Sequence, residues 1–461
     1  MLEGFAEPWR QEIKIKRSRR ISLFDILPQI PIDGAYAYLL FVTMLFVQEL
    51  GSLAGVIISA LPIAYGLLRR GSFLGFVGSR WLLFAFPAFA LCSVLWSEDA
   101  PATVRYALEL IVTVVAAIAL AAARRPNAVI KAVALAFLTY AGGSLVFGHY
   151  VGVGLGGGGT AFSGLGDGKN MMGDIAAVGL LAMCGAFFVS VRNSVAWSLL
   201  SAAGAALEVY VVLQARSAGA MIGVGGALAV MAAVVAGCAM SRTLRIVLLF
   251  FVGVCAAVVA SLGNLQDTLL SFGLSLFDKD PTLTGRTYLW YRANDLIADK
   301  PLLGTGFFAF WRQGNPDAEG LWRYAGITSR SGFNFHSTIT ELLVEVGYVG
   351  AAIFVAVGLV SVLGLMGRYV NRPTAALTFW LGLVAYALIR APFEAFGYGP
   401  FYYTTALLFG AAAIGLSRVR APAVKITRAQ ARAAEVARLR QLGALRQARW
   451  QAYRPQVSPA E

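Results

Sequence analysis

One histidine and two glutamates stand together at the start of an apolar run late in the chain. His336 precedes Ser337 and Thr338, and Glu341 and Glu345 follow one helical turn apart. Ionisable side chains at the edge of an apolar segment are costly to insert into a bilayer, so they are functional candidates by default. An unperturbed imidazole has a pKa near 6.5, which suits proton removal near neutral pH. The alternative is an ordinary polar helix end.

Three cationic side chains stand where an apolar chain has little use for them. Arg286 lies in the first turn of a predicted helix, where a cation opposes the helix dipole and a bound anion would reverse that effect. Arg216 and Lys169 stand at junctions between apolar runs that we expect on the outer face, where basic residues are disfavoured. These residues could bind an anionic substrate. A lipid headgroup or a loop carboxylate as the partner of Arg286 is the alternative.

Two further motifs imitate nucleotide and metal sites. The glycine run at 152–159 shows no preceding strand of the kind that a phosphate-binding loop requires, so we expect a flexible loop. The triplet Asp278-Lys279-Asp280 is similar to the acidic motif of metal-dependent sugar transferases, but no third ligand is evident. With two histidines and four cysteines in apolar stretches, a zinc cluster or a disulfide framework has no support. The sequence therefore predicts no metal and no cofactor.

Composition identifies the environment in which these residues must be positioned. Of 461 residues, 58% are hydrophobic and 13% are charged, whereas a soluble domain carries about a quarter of its residues as charged side chains. Continuous apolar runs of about 20 residues are typical of transmembrane helices and not of the alternating strands of an outer-membrane barrel. The sequence therefore predicts an all-α, polytopic transmembrane helical bundle. It excludes a disordered chain, a secreted disulfide-rich scaffold and an ordinary cytosolic enzyme.

The apolar runs predict about twelve spans, with one long periplasmic loop that contains amphipathic helices. Their centres are Thr43, Ala60, Pro87, Val114, Phe137, Leu180, Ala203, Leu228, Val254, Ile353, Val384 and Leu408. The predicted organisation is a cytoplasmic N-terminal segment at 1–34, spans one to nine at 35–263, the periplasmic loop at 264–334, spans ten to twelve at 335–417 and a basic cytoplasmic tail at 418–461.

Basic residues set the orientation of this bundle. Every short loop on one side of the predicted ladder is basic: Arg69, Arg70, Arg80, Arg124, Arg125, Lys131, Arg192, Arg242, Arg245, Arg368 and Arg372. By the positive-inside rule, this side and both termini are cytoplasmic. The composition of the basic tail predicts a helix that lies on the membrane surface and is bound by anionic lipids. Nucleic-acid binding is not expected, because no reading motif accompanies the net charge of +14.

The long loop contains one helix signal. Thr284 is the predicted N-cap and Pro301 ends the helix. Its apolar stripe is Leu289, Trp290, Ala293, Leu296 and Ile297, and the opposite stripe is Tyr288, Arg292, Asp295 and Asp299. We expect this helix on the membrane surface, with Trp290 in the headgroup layer.

Several distinctive sequence motifs lie in this loop and in the apolar run that follows it. They are TGRTYLW at 284–290, PLLGTG at 301–306, and His336 followed by ELLVEVGYVG at 341–350. Weaker blocks are Trp96-Ser97 with Arg105, Lys169-Asn170 with Gly173, and Arg216-Ser217. Together they resemble the O-antigen ligase and polysaccharide polymerase superfamily of bacterial inner membranes. The sequence departs from that pattern at Ser337, where the family commonly has Asn, and at Gly168, where it often has His.

The resemblance implies a reaction and assigns roles. The donor is a glycan on undecaprenyl diphosphate, transferred at the periplasmic face without a nucleotide or a required metal. Arg216 and Arg286 would stabilise the departing diphosphate because guanidinium groups bind phosphate bidentately and keep their charge. His336 would take the proton from the acceptor hydroxyl, and Glu341 would orient it or replace it. The other implied substrate-binding residues are Lys169, Asn170, Arg105 and Arg292.

The acceptor and the function class stay open at this point. Lipid A-core as acceptor makes the protein a ligase, which the shared motifs slightly favour, and a second lipid-linked glycan makes it a polymerase. A lipid-linked oligosaccharide flippase or transporter would instead show internal repeats and substrate-binding groups near the bilayer midplane. We find no convincing repeat, and the distinctive charges lie at the outer rim. A non-catalytic assembly subunit would tolerate alanine at Arg216, Arg286 and His336.

Overall fold

The computed structural model describes residues 32–69, 72–152, 159–166, 168–261, 286–417 and 444. The helices are α1 Ile32–Leu45, α2 Val47–Leu50, α3 Ser52–Arg69, α4 Ser72–Gly78, α5 Ala85–Cys92, α6 Ala100–Ala121, α7 Pro126–Phe147, α8 Lys169–Ser190, α9 Val195–Ala215, α10 Ala218–Gly237, α11 Arg242–Ser261, α12 Arg286–Asp299, α13 Pro316–Ala325, α14 Thr338–Asn371, α15 Ala375–Arg390 and α16 Tyr403–Gly415. Short 3-10 turns, Trp81–Phe84 and Ser93–Leu95, flank α5. The predicted Thr284 cap, the Asp278-Lys279-Asp280 triplet, the tail from 418 apart from residue 444, and most of the N-terminal segment lie outside the described residues.

The helical bundle matches the predicted ladder of apolar runs. Each of the twelve predicted centres lies within one of these helices. Among the described residues, seven helices are long and apolar enough to cross a membrane: α3, α6, α7, α8, α9, α10 and α14. Four shorter apolar segments are Ile32–Leu45, Trp81–Leu95, Ala375–Arg390 and Tyr403–Gly415. The chain is therefore a multi-pass membrane protein, and the total of about twelve crossings stays a prediction.

Helix α8 forms the centre of the bundle and is packed against α7, α9, α10 and α15. Small residues along it let neighbouring helices approach closely, as is usual in membranes. A Cβ at Gly185 would lie 2.8 Å from the Cβ of Phe379, and one at Gly179 would lie 2.5 Å from Glu208. The same close packing brings the first turns of α8 against α15, where the charged side chains of the site lie.

A β-hairpin between α7 and α8 was not expected. Strand β1, His149–Gly152, pairs antiparallel with β2, Thr160–Gly164. The expectation that no strand precedes the glycine run is therefore wrong, while residues 153–158 within it lie outside the described residues. Because the strands flank the run as a hairpin, the arrangement differs from the strand–loop–helix unit of a nucleotide-binding site.

Helix α14 is broken near its start, and a turn from the preceding loop fills the break. Gly347 has φ 63° and ψ −172°, outside the helical region. The amides of Tyr348 and Val349 donate to the carbonyls of Pro301 and Leu302 at 2.8 and 3.1 Å. In return, the amides at 305 and 306 donate to the carbonyls of residues 344 and 345 at 3.0 and 2.8 Å. The 301–306 and 341–350 blocks therefore bind each other backbone to backbone.

The predicted loop helix is present as α12 and begins at Arg286. Its apolar face is buried through Leu289, Ala293 and Ile297, which pack in one cluster with residues of α13 and the segment before α14. The Trp290 indole Nε1 donates to the Phe335 carbonyl at 2.8 Å. Protein side chains therefore cover much of the stripe, and a headgroup position for Trp290 stays a prediction.

Candidate active site

His336 occupies a strained backbone position immediately before α14. Its φ is 52°, in the left-handed region, and its amide donates to Asn334 Oδ1 at 2.8 Å. Ser337 is the N-cap and accepts from the Thr340 amide at 3.2 Å. Buried Phe335 anchors the preceding residue, whereas the His336 side chain is 24% exposed. The backbone thus holds an imidazole at the surface with one edge buried, which is a position suited to chemistry.

The buried edge of His336 contacts a carboxylate that also faces an arginine. Nδ1 of His336 lies 3.0 Å from Oε1 of Glu394. The Arg286 guanidinium lies 3.5 Å from Glu394 Oε2 and donates to the Phe393 carbonyl at 2.6 Å. Arg286, predicted in the first turn of its helix, is the first residue of α12. The structure therefore joins the predicted base and one predicted cation through a single acid.

A second ion pair extends this arrangement into the bundle. Arg390, at the end of α15, donates from Nε and a terminal nitrogen to both oxygens of Asp174 on α8, at 2.8 and 2.9 Å. The Tyr386 hydroxyl donates to the same carboxylate. Arg390 also lies 3.5 Å from Glu394 Oε2. Asp174, Arg390, Glu394 and Arg286 form a row of alternating charge, which we call the charge row, and His336 contacts it at Glu394.

The segment after α15 fixes Glu394 to the start of α14. The Thr338 amide donates to the carbonyls of Ala391 and Glu394 at 2.8 and 3.1 Å. Its hydroxyl donates to the Glu394 carbonyl at 2.9 Å and lies 2.8 Å from the Phe396 amide, which donates to it. Because His336 is two residues from Thr338, the acid and the imidazole are positioned by the same backbone anchor.

Electrostatics keep the Glu394 carboxylate ionised. Burial raises its pKa, but the hydrogen bond and charge of His336, together with Arg390 and Arg286, outweigh burial and lower the pKa to about 2. An ionised carboxylate accepts hydrogen bonds and cannot donate them. The proton between the two groups therefore resides on Nδ1 of His336.

This lowered pKa predicts acid sensitivity. A carboxyl whose pKa is depressed by folding stabilises the protein fully above its ordinary value of 4.5 and loses that contribution as the pH falls towards 2. We expect the unfolding temperature of the detergent-solubilised protein to fall across this window. Glu394→Gln should flatten that part of the pH profile; an unchanged slope would contradict the ionised carboxylate.

Arg216 lies at the junction of α9 and α10, as predicted. It has φ 46°, and its guanidinium lies 3.1 Å from where a Cβ at Gly159 would stand. The next residue, Ser217, donates to Asn170 Oδ1 at 3.1 Å. Lys169 begins α8 at the same end, one residue before Asn170. The predicted site residues Arg216, Lys169 and Asn170 therefore lie close together beside the β-hairpin.

The cluster of Arg216, Lys169 and Asn170 is linked to the charge row through the start of α10. A Cβ at Gly219 would stand 2.1 Å from the Arg390 guanidinium, so α10 passes directly over the charge row. A Cβ at Gly173 would stand 2.7 Å from Ser217. This cluster around Arg216 and the charge row therefore lie at one end of the bundle, on adjoining turns of α8 and α10.

The remaining predicted site residues lie elsewhere around this end. Glu341 is fully buried and accepts from the Phe335 amide and from Trp311 Nε1, the latter at 3.2 Å. Arg105 is 71% exposed and paired with Glu109 at 2.9 Å. Arg292 pairs with Asp295 and Asp317, at 2.7 and 3.1 Å. The carboxylate that contacts the imidazole is thus Glu394. Glu341 instead binds the segment that precedes His336.

Sequence reasoning assigned no partner to Asp174 or Glu394, and it missed Arg390. The available signal was their charge inside apolar runs. Asp174 and Arg390 are 216 positions apart, so only the packing of α8 against α15 shows that they pair.

Comparison with known proteins agrees with these motifs. Residues 203–355 match the model of a family described as O-antigen ligase, and that segment includes Arg216, Arg286 and His336. The exopolysaccharide production protein ExoQ of Rhizobium meliloti (strain 1021) is 31% identical over 351 residues, which cover 73% of this chain and 77% of that protein. A similarity of this extent, together with the family match, identifies the chain: it belongs to the O-antigen ligase and polysaccharide polymerase superfamily.

Proposed function

We propose that this protein is a glycosyltransferase that moves a glycan from undecaprenyl diphosphate to an acceptor hydroxyl at the periplasmic face of the bacterial inner membrane. The observation that carries the proposal is the contact of His336 with Glu394 at 3.0 Å beside Arg286. A base, its orienting acid and a phosphate-binding cation are what such a transfer requires.

His336 is the general base of the proposed reaction. With the proton held on Nδ1 by Glu394, Nε2 accepts the proton of the attacking hydroxyl. The imidazolium that forms faces the ionised Glu394, which stabilises the new positive charge. The oxygen of the acceptor then bonds to the anomeric carbon as the bond from that carbon to the carrier diphosphate breaks.

Arginines stabilise the departing diphosphate. Negative charge grows on its oxygens as the glycosidic bond breaks, and preorganised guanidinium groups suit that charge. Arg286 is partly exposed beside His336, and we place the diphosphate against it. Arg216, Lys169 and Asn170 contact the rest of the lipid-linked substrate in this proposal.

The acceptor favoured here is a second lipid-linked glycan, which makes the protein a polysaccharide polymerase. The relative that covers most of the chain is described as an exopolysaccharide production protein. Transfer to lipid A-core, the ligase reaction, is the second candidate, and the description of the matched family favours it. Both reactions use the same donor chemistry, so the site described above serves either.

A groove beside the bundle offers a route for the lipid carrier. It has a volume of about 570 Å³ and is lined by Ser52, Gly55, Val56, Ser59, Ala60, Ile63, Glu109 and Phe401. Ser52 and Ile63 are eleven positions apart on α3, which is about 17 Å along its axis and roughly half the ~30 Å hydrocarbon core. Arg105, one turn from Glu109, is exposed beside it. We place the polyprenyl chain here.

Arg286→Ala should lower the rate of transfer by about 10²-fold or more, because a preorganised donor to the developing charge is lost. Arg286→Lys keeps the charge but not the planar fork, so its rate should lie between those of alanine and the wild type. The measurement is kcat in reconstituted membranes. Exposed Arg323→Ala on α13 is the matched control and should transfer normally; equal rates for all three variants would remove Arg286 from the mechanism.

Chelation is expected to leave the reaction unchanged, because arginines supply the positive charge in this proposal. The measurement is the initial rate with and without excess EDTA after extensive dialysis. Loss of activity that one divalent metal alone restores would contradict this expectation.

Reconstitution tests the function itself. Purified protein in nanodiscs receives undecaprenyl-diphosphate-linked glycan and either lipid A-core or more of the same donor. Mass spectrometry follows the extended glycan and the released carrier diphosphate. Extension of the lipid-linked glycan supports the polymerase, transfer to lipid A-core alone replaces it with the ligase, and no transfer to either acceptor overturns the glycosyltransferase proposal.

A further inference from the structure

A cleft lies between α12 and α13. Its volume is about 360 Å³, and its lining includes Tyr288, Tyr291 and Arg292 from α12 and Asp317 from α13. The opposite faces of both helices are buried in one apolar cluster, which fixes the two walls relative to each other. The cleft is therefore a formed feature of this part of the chain.

Two exposed aromatic rings lie at the cleft. Tyr291 is 64% exposed and Tyr288 is 41% exposed. Tyr288 stacks on Tyr324 of α13 with ring centroids 4.3 Å apart and an angle of 42° between the rings. Large aromatic faces turned to solvent beside polar groups are typical of binding surfaces.

The charges in the cleft do not favour an anion. Arg292 contacts Asp295 at 2.7 Å and Asp317 at 3.1 Å, so two carboxylates face one guanidinium. A diphosphate would meet a locally negative surface here, in contrast to Arg286 in the charge row. The substrate-binding role that the resemblance implies for Arg292 therefore needs a different ligand from the diphosphate.

A neutral sugar fits the chemistry of these walls. The C–H face of a sugar ring is apolar and packs on an aromatic ring, while each hydroxyl can both donate and accept hydrogen bonds. Arg292 supplies donors and Asp317 supplies acceptors on adjacent positions of the cleft. Tyr288 and Tyr291 supply the rings.

The cleft adjoins the proposed reaction centre along a single helix. Arg286 and Arg292 are six residues apart on α12, which is about 9 Å along the axis. A glycan whose reacting end lies at Arg286 would pass the cleft as it leaves.

We propose that the cleft between α12 and α13 binds the glycan chain of a substrate, with sugar rings on Tyr288 and Tyr291 and hydroxyls on the Arg292–Asp317 pair. This inference rests on the proposed function, since it assigns a chain-binding subsite to the same transferase. The subsite acts on substrates longer than one repeat unit and is separate from the chemistry at His336.

Binding measurements on the full-length protein in nanodiscs test the subsite without requiring transfer. The probes are single-repeat and multi-repeat oligosaccharides, prepared by partial hydrolysis of the polysaccharide whose lipid-linked repeat is the donor. Tyr291→Ala should weaken multi-repeat binding, measured by calorimetry, by roughly 2- to 10-fold, the size of one aromatic contact. Tyr291→Phe keeps the ring and should retain the affinity. Tyr210→Ala, which removes another exposed tyrosine, is the control and should bind normally.

Product length gives the second readout. In the transfer assay, Tyr291→Ala and Asp317→Asn should shorten the products while the first transfer keeps its rate. Unchanged binding and unchanged product length would overturn the inference and leave the proposed function intact. Equal loss for single-repeat and multi-repeat substrates would also overturn it, because the cleft would then belong to the reaction centre.

A membrane-surface role for the tyrosines is the competing explanation, since tyrosine is enriched at bilayer interfaces. A photoreactive benzoylphenylalanine at position 291 separates the two. Cross-links to the multi-repeat oligosaccharide support the subsite, and cross-links to phospholipid alone overturn it. Failure of the wild type to transfer any glycan would instead overturn the proposed function, and the binding result would be read by itself.

Discussion

Replacing His336 with asparagine is expected to lower kcat for glycan transfer by about 10²- to 10⁴-fold, the usual contribution of a positioned general base. The amide of asparagine cannot take the proton of the acceptor hydroxyl. Asparagine is the suitable replacement because His336 has φ 52°, a conformation that asparagine tolerates better than alanine does. Loss of rate would then report lost chemistry and not a strained backbone.

The matched control for His336 is the second histidine of the chain. His149 begins β1 and is exposed, outside the charge row. His149→Asn should transfer at the wild-type rate, and both variants should keep the wild-type unfolding temperature. A His336→Asn variant that transfers normally in reconstituted membranes would remove the imidazole from the mechanism.

Glu394→Gln is expected to be about as damaging, with a loss of kcat of up to about 10⁴-fold, by analogy with amide replacement of the acid behind a catalytic histidine. The glutamine amide can donate to Nδ1 of His336, which would place the remaining ring proton on Nε2. The nitrogen that should accept the proton of the acceptor hydroxyl would then already carry one. The new imidazolium would also lose its facing negative charge.

The kinetic signature separates this effect from a binding defect. Because Glu394 acts through the imidazole, kcat should fall while KM for the lipid-linked donor changes little. Glu394→Asp keeps the charge on a shorter side chain and should recover part of the rate. Glu319→Gln, which alters a half-buried acid on α13 that is paired with Arg330, should have the wild-type kcat. A fall confined to KM would assign Glu394 to substrate binding.

The helix positions were predictable because a bilayer demands long apolar runs, and each predicted centre lies in a helix. The break at Gly347 was not, since it depends on backbone contacts with the distant 301–306 turn, and the short β-hairpin was missed as well. Periodicity describes one helix at a time. Periodicity contains no information on which turn of another segment fills a break in that helix.

The candidate site divides in the same way. His336 and Arg286 could be selected from the sequence because each stands where a charge is costly or opposes a helix dipole. Their connection through Glu394 could not, since the acid lies 58 positions beyond His336 in an irregular segment. Glu341 is nearer in sequence but is directed to Phe335 and Trp311. Proximity along the chain therefore selected the wrong neighbour for the imidazole.

The mutual bonding of the 301–306 turn and the broken start of α14 has a consequence for engineering this protein. The two stretches share four main-chain hydrogen bonds, and glycines at 304 and 347 allow a contact too close for any side chain. Neither half can be transplanted from a homologue without its counterpart. A chimera intended to alter specificity must exchange both stretches together. Otherwise His336, which lies between them in the sequence, will lose the backbone that positions it.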